Sequence, residues 1–486
     1  MIFNSYEFVL LFLPIFTLGF NIIRHIGKKN GNGRMLVDLW IVLGSLCFFS
    51  LFGMQNLAIL FISICFNVCT AIPMSFMRER SVRMKLFGRE ILTQNIWLFI
   101  GITGNLVLLL FFKLSGFFLP IAISFYTFNQ ISYIVDLCRG DIESFKGIDY
   151  LAYVLYFPKL LQGPLMGYQS FEKELDKTLD KSFDFEIALR GLLLFSIGLF
   201  KKVIMADTFG KAVDYGYQNL TGLGSIEAVL VALFYSFQLY FDFSGYCDMA
   251  SGISMLLGIE LPVNFDSPYK AVDIVDFWKR WHITLTGFFT KYVYIPLGGN
   301  RKGEAVTYAN FMIVFLLSGF WHGTGWNFIL WGAMHGILYV ITRACIKHGT
   351  GVKVPKAIKV FATFLYVTAA WVFFRAPDIQ TALLLFAQMF TGGIRKLGSG
   401  FTSVFRLDEF WFVLKVTPLM KYDFVWDVCL FAFAIAGVIM IFFCKNALGR
   451  IKEYKVGLGT TLLTAFLFMW CVLSLGGVST YIYMNF

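Results

Sequence analysis

The sequence predicts an all-α protein that crosses a membrane many times, with short loops and no soluble domain. Composition is the first ground: 58% of the 486 residues are hydrophobic and 15% are charged, whereas soluble domains carry about 25% charged residues. Mean hydropathy is +0.70. Second, apolar runs near the roughly 20 residues that span a bilayer core recur along the whole chain. Third, basic residues gather in alternate loops, the pattern that orients multi-pass proteins. These observations exclude a disordered chain, a collagen-like chain and an ordinary cytosolic enzyme. The net charge of +11 then reads as cytoplasmic loops and contact with anionic membrane lipid, not as nucleic-acid binding.

Candidate spans lie near 6–23, 35–53, 57–76, 91–112, 118–136, 186–206, 226–244, 358–375, 424–443 and 456–476, with a longer apolar stretch over 304–342. The first, MIFNSYEFVLLFLPIF, has no basic segment before its apolar run and no cleavage site of small residues, so it is expected to be retained. Shorter runs at 151–168, 284–297 and 380–391 are expected to be re-entrant or interfacial, because irregular backbone persists at membrane depth only inside protein or beside water. Arg24, Lys28, Lys29 and Arg34 follow the first span, and Arg78, Arg80, Arg83, Lys85 and Arg89 follow the third. These loops are expected inside, as are Arg343–Lys359 and Lys445–Lys455. Both chain ends are then outside, with an even number of full spans. Phe171, Leu175 and Leu179 form one apolar stripe in the charged segment 171–186, which is expected to be an amphipathic helix on the membrane surface. Nine cysteines without a CxxC pair read as small buried hydrophobes, not as a disulfide frame or a metal site.

Chemistry concentrates in three blocks. Of five histidines, His25 and His348 sit in basic loops and read as surface residues. His282, His322 and His335 lie in or beside apolar segments, where an ionisable group is a functional candidate because its burial is costly. In SGFWHGTGWNFILWGAMHGILYV (318–340) the flanking Arg301, Lys302 and Arg343 are on one side, so the segment is expected to turn at His322–Trp326, where two glycines weaken the helix. The 14-residue arm 308–321 would span about 21 Å, short of the full core. In 265–303, Trp278 and Trp281 suit an interface belt. Lys279, Arg280, Lys291, Arg301 and Lys302 form a cationic set for either a phosphate-bearing donor or lipid headgroups. In FDFSGYCDMASGISMLLGI (241–259), Asp242 and Asp248 flank small residues that allow close helix approach. These two acids are candidate acid–base groups, although pairing with arginines is the commoner fate of buried carboxylates.

The blocks FWKRWHITLTGFFTKYVYIPLGGNR, SGFWHGTGWNFILWGAMHG, FDFSGYCDMASGISMLLGI and YFPKLLQGP, in this order-specific set, resemble the membrane-bound O-acyltransferase family. The branch of alginate and peptidoglycan O-acetylation proteins is the nearest in pattern. The resemblance runs from about Ser124 to Gly336 and includes the last residues; the first 110 match mainly in hydropathy. It implies a ring of helices around a transmembrane tunnel, with re-entrant helices, in a single domain over 1–486: spans at 1–112, a catalytic core at 113–345 and further spans at 346–486. It implies His322 as the central catalytic residue and His282 as the second, with acetyl-CoA as cytoplasmic donor and no metal. Where the family commonly has an Arg-Asp pair, this chain has Thr290-Lys291. The terminal YIYMNF implies that Tyr483 carries the acyl group to an extracellular or periplasmic esterase-like transferase that modifies a polysaccharide. D-alanyl transfer to teichoic acid, a non-enzymatic transporter with a histidine proton relay, and a structural scaffold for a secretion complex are the alternatives. The implied location is a bacterial plasma membrane.

Overall fold

The computed structural model describes residues 1–30, 32–86, 89–350, 354–407, 415–422, 424–476 and 481–482. Among these, nine helices are long and apolar enough to cross a membrane. The protein is therefore a polytopic α-helical membrane protein.

A π-helical turn at Glu7–Phe12 runs into α1 (Leu13–Asn30), followed by α2 (Gly33–Ser50) and α3 (Met54–Glu79). A small antiparallel hairpin, β1 (Arg83–Leu86) and β2 (Arg89–Leu92), precedes α4 (Thr93–Leu114). The basic loop expected there thus ends in paired strands, Arg83 opposite Leu92. Next come α5 (Ile123–Arg139), α6 (Gly147–Leu155), α7 (Phe157–Leu160) and α8 (Tyr168–Asp180). The helix α9 (Phe185–Leu199) continues through a π-helical stretch at Phe200–Ala206 into α10 (Asp207–Gln218). Two expected spans are shorter than a straight crossing: α5 has 17 residues and the helix Leu458–Leu473 has 16.

The centre of the protein is α11 (Ser225–Leu256), whose 32 residues extend about 48 Å. Its middle is buried on every side, which is why it shows no apolar stripe. It crosses α9 at a glycine seam. A β-carbon on Gly198 would stand 2.6 Å from Gly245 O, and one on Gly252 would stand 2.6 Å from Gly191 O. The small residues of 241–259 thus do bring two backbones together. Short helices α12 (Ile274–Trp278) and α13 (Ile283–Phe289) follow, then α14 (Glu304–His322), α15 (Trp326–His348), α16 (Lys356–Arg375) and α17 (Ile379–Thr391). Glu304 bonds Lys347 at 2.8 Å and His348 at 3.1 Å, holding the open ends of the α14–α15 hairpin on one side, as the flanking charges predict.

Several expectations are corrected. The hairpin arm is 19 residues, not 14, because α14 starts at Glu304; it spans about 28 Å, close to a full core thickness. The amphipathic segment stops at Asp180, and its stripe covers protein instead of lipid: Phe171 and Leu175 are fully buried, with Phe171 against Tyr153 and Tyr156. Arg34 fastens this helix through Glu172 at 2.6 Å and Asp176 at 2.5 Å. Trp278 and Trp281 lie inside the aromatic core, not in an interface belt. Of the cysteines, Cys138, Cys247 and Cys471 are buried, but Cys47, Cys65 and Cys69 face outward from α2 and α3.

Candidate active site

His282 is placed by a sharp chain reversal. It lies between α12 and α13 with φ +46° and ψ +51°, a left-handed conformation that costs a residue with a β-carbon about 1–2 kcal/mol. Backbone bonds from Ile283 N–H to Asn264 O and from Asp266 N–H to Arg280 O, both 2.9 Å, clamp the reversal to the preceding segment. The side chain of Asn264 completes the clamp. Its Oδ1 accepts from Thr284 N–H at 3.2 Å and from Thr284 Oγ1 at 2.9 Å, and faces His282 Nδ1 at 3.1 Å. A backbone N–H only donates, so the amide atom facing it is oxygen. His282 Nδ1 therefore carries the hydrogen, and Nε2 presents a lone pair. That Nε2 has no hydrogen-bond partner among the described residues. The ring is 1% exposed, and burial holds it down to about 3, so it stays neutral. Phe243 packs edge-on against it, with ring centres 4.7 Å apart.

His322 is the last residue of α14. Close approach of the hairpin arms fixes it: a β-carbon on Gly319 would stand 2.4 Å from Phe328 O, and one on Gly332 would stand 2.5 Å from Phe315 O. Helix α14 ends where Gly323 takes an extended conformation. Asn327 donates from Nδ2 to Phe373 O at 3.2 Å and Ala376 O at 2.8 Å, so the turn is tied to the end of α16. The His322 ring rests against Trp331 at 5.2 Å and Phe374 at 4.9 Å. The Lys113 ammonium, from the last turn of α4, donates to the carbonyl of Trp321. His282 and Lys113 both lie within electrostatic range of His322. The fold thus buries both histidines, which come from different blocks.

His335 stands behind this site. The Trp278 indole N–H donates to His335 Nδ1 at 3.3 Å, so the hydrogen of the neutral ring is on Nε2. Trp331 touches both His335, at 4.9 Å, and His322. His335 supports the aromatic wall instead of joining His322 on one ligand atom. The two acids are paired, but with lysines of the π-helical stretch, not with arginines. Asp248 meets Lys201 at 2.5 Å, and Asp242 meets Lys202 at 2.7 Å. Lys202 also meets Asp207 at 2.9 Å. Asp242 Oδ2 accepts from Ile482 N–H at 2.9 Å. Tyr481 is fully buried, stacked edge-on to Tyr246 at 5.1 Å and beneath Lys202 at 4.8 Å. Tyr483 lies outside the described residues.

The five cationic candidates separate into groups. Lys279 and Lys291 line an apolar cavity of about 540 Å³ between α13, α14 and α15, which reaches Ser318, one turn before His322. Lys291 also borders a second cavity of about 270 Å³ with Asn129, Ser132 and Thr284. It meets Asp136 of α5 at 2.8 Å, and Tyr292 Oη donates to the same carboxylate at 2.9 Å. A carboxylate from another helix thus balances Lys291. Arg280 is tied to Asp276 at 2.8 Å, while Arg301 and Lys302 are exposed in the following loop. Among the described residues no cluster of three or more His, Cys, Asp or Glu forms a metal site. Asn264 and Lys113 escaped the sequence reading. Their signals are a lone asparagine before FDSP and a lone lysine in FFKLSGFF.

The site combines a neutral imidazole carrying an open lone pair, a second buried imidazole and an apolar cavity with a cationic rim, a set suited to proton transfer away from bulk water. The family model of the membrane-bound O-acyltransferases matches residues 138–377. The chain is 37% identical to the peptidoglycan O-acetyltransferase of Helicobacter pylori over 79% of its own length and 78% of the relative's. It is 35% identical to the probable alginate O-acetylase AlgI of Pseudomonas putida, over 81% of both chains. It is 36% identical to the protein of the same name from Pseudomonas fluorescens, over 81% of this chain and 76% of the relative. On these matches, which extend well beyond the histidine blocks, the chain belongs to the membrane-bound O-acyltransferase family and is an enzyme of acyl transfer.

Proposed function

We propose that the protein moves an acetyl group from cytoplasmic acetyl-CoA to Tyr483, from which a separate extracytoplasmic transferase passes it to a polysaccharide or peptidoglycan hydroxyl. One observation carries this reading: the two histidines are both buried and lie within electrostatic range of each other, and the chain's last described residues dock on α11. The names of the relatives supply the acetyl group and the class of acceptor. The protein sits in the bacterial plasma membrane with both ends outside.

In this mechanism the donor thioester reaches the site through the cavity rimmed by Lys279 and Lys291. Their ammonium groups attract its phosphates, and Arg280, Arg301 and Lys302, nearby in sequence, add to the cationic field that draws the donor in. His322 takes the phenolic proton of Tyr483 as the oxygen attacks the thioester carbonyl. The tetrahedral adduct expels the thiolate, which recovers that proton to leave as free CoA, and the acetyl group remains as a tyrosine ester. His282, neutral and fixed in one tautomer by Asn264, orients the reacting groups and serves the proton relay. General-base action contributes about 10²- to 10⁴-fold, and positioning in a water-poor site supplies much of the rest. An acceptor hydroxyl in the partner then attacks the ester and restores the tyrosine.

Mass spectrometry of the intact protein after exposure to acetyl-CoA tests the proposal. One acetyl group on Tyr483 is expected, absent in Tyr483→Phe and in His322→Ala. A folded His322→Ala protein that still acquires the acetyl group refutes the assignment of the base.

A further inference from the structure

Away from the histidines, a cavity of about 320 Å³ opens where the end of α1, the start of α9, the end of α11 and the helix Ala447–Glu453 converge. Four cationic side chains line it, Arg24, Lys181, Arg190 and Lys452, against two carboxylates, Asp184 and Glu260. Both carboxylates are already engaged. Asp184 caps α9 by accepting from Glu186 N–H at 2.8 Å and Ile187 N–H at 3.3 Å, and Glu260 meets Lys452 at 2.8 Å. Arg24 is 7% exposed, yet its guanidinium bonds only neutral acceptors, Asn21 Oδ1 at 2.7 Å and Thr178 O at 3.4 Å. No carboxylate among the described residues forms an ion pair with it. Arg190 pairs with Glu186 through one nitrogen at 3.2 Å, but its buried Nε–H has no acceptor among the described residues. A buried cation without an anion is costly, so the cavity is built for an anion that the protein itself does not supply.

A second cavity, of about 400 Å³, adjoins the first and shares Asn21, Phe183 and Leu256 with it. Its wall is apolar, from Asn21 back along α1 through Leu18 and Leu13 to Val9, with Leu192 and Phe468 opposite. Asn21 to Val9 is about 18 Å along the helix, slightly more than half the roughly 30 Å hydrocarbon core. A cationic chamber thus continues into an apolar groove one leaflet long, and its cationic end adjoins the basic loop that charge places in the cytoplasm.

We infer that these joined cavities bind one phospholipid of the cytoplasmic leaflet, its anionic headgroup on Arg24 and Arg190 and an acyl chain along Val9–Asn21. The site is distinct from the histidine centre. It requires a ligand in which net negative charge and a hydrocarbon chain are joined: a free phosphate lacks the chain and a zwitterionic lipid lacks the net charge.

Native mass spectrometry of the purified full-length protein, incubated with equal amounts of phosphatidylglycerol and phosphatidylcholine, tests this. The wild type is expected to retain phosphatidylglycerol about thirtyfold over phosphatidylcholine, the effect of about two near-surface cations. Arg24→Gln should bring the two lipids to near equality. Arg190→Gln should do so in part, and serves if the first variant fails to fold. Leu18→Trp, on a side chain that is 64% exposed, should reduce retention of both lipids by filling the groove. Equal retention of the two lipids by the wild type overturns the assignment, as does an unchanged preference in the folded arginine variants. Displacement of phosphatidylglycerol by glycerol phosphate alone also overturns it, because the groove would then contribute nothing.

Discussion

Ile482 N–H donates to Asp242 Oδ2 at 2.9 Å, which ties the chain's last described residue to the middle of α11. The same carboxylate neutralises Lys202, and both side chains are only 2% exposed. Asp242 therefore fixes a buried charge and anchors the residue next to the proposed acyl carrier.

Asp242→Leu removes both functions. Breaking a buried ion pair from one side costs about 3–5 kcal/mol, here softened by Asp207, which also holds Lys202. Asp242→Asn keeps an oxygen for Ile482 and is expected to cost less. With a short tag after Phe486, Asp242→Leu should release the tag to protease several times faster than the wild type, and Asp242→Asn should fall between. Equal release rates for all three would show that the carboxylate does not hold the tail.

Asn264 offers a finer test. Its Oδ1 sets the His282 tautomer while also accepting from Thr284. Asn264→Asp preserves the acceptor, whereas Asn264→Leu leaves buried donors unmade at about 1–3 kcal/mol each. Release of free CoA from acetyl-CoA should fall by about 10²-fold in Asn264→Leu, the low end of the range for losing a positioned proton-transfer group, here the His282 relay. It should fall by much less in Asn264→Asp. Thermal unfolding in detergent separates this loss from loss of fold, and equal activity of the two variants would remove the tautomer argument.

Part of this arrangement is legible in the chain alone. Gly323 and Gly325 mark the break after His322, and flanking charges place both arms of the hairpin on one side. What fixes the buried pose of His282 is not legible, because it depends on Asn264, 18 residues earlier, clamping the reversal. Tryptophan suits a membrane interface and a protein core alike, so Trp278 and Trp281 were assignable only once their neighbours were known. An amphipathic stripe reports that one face is covered but not by what. The stripe of α8 meets Tyr153 and Tyr156, not lipid, because Arg34 holds the helix onto the protein.

The glycine seam between α9 and α11 permits a direct stability test. A side chain on Gly198 would press a β-carbon to 2.6 Å from Gly245 O. Gly198→Ala should destabilise the protein by about 1–3 kcal/mol, the usual range for overpacking, and Gly198→Val by more. Gly167 is a control, since its β-carbon would meet nothing within 4 Å and Gly167→Ala should leave thermal stability nearly unchanged. Equal unfolding temperatures for Gly198→Ala and Gly167→Ala would mean that the helices can separate without penalty.

The neutral state of His282 has a pH signature. Burial lowers its folded value to about 3, against about 6.5 for an unfolded histidine. The unfolded chain therefore binds a proton that the folded site refuses, and stability falls as pH drops from about 6.5 toward 3. Above pH 7 the contribution is complete. At pH 5.5 the penalty from this one group is about 1.4 kcal/mol. His282→Gln cannot titrate, so its unfolding temperature should fall less than that of the wild type between pH 7.5 and 5.5, when both are measured by the same thermal assay in detergent. Parallel curves for the two proteins would show that His282 is protonated as readily in the fold as outside it, and that the imidazole is not held dry behind Phe243.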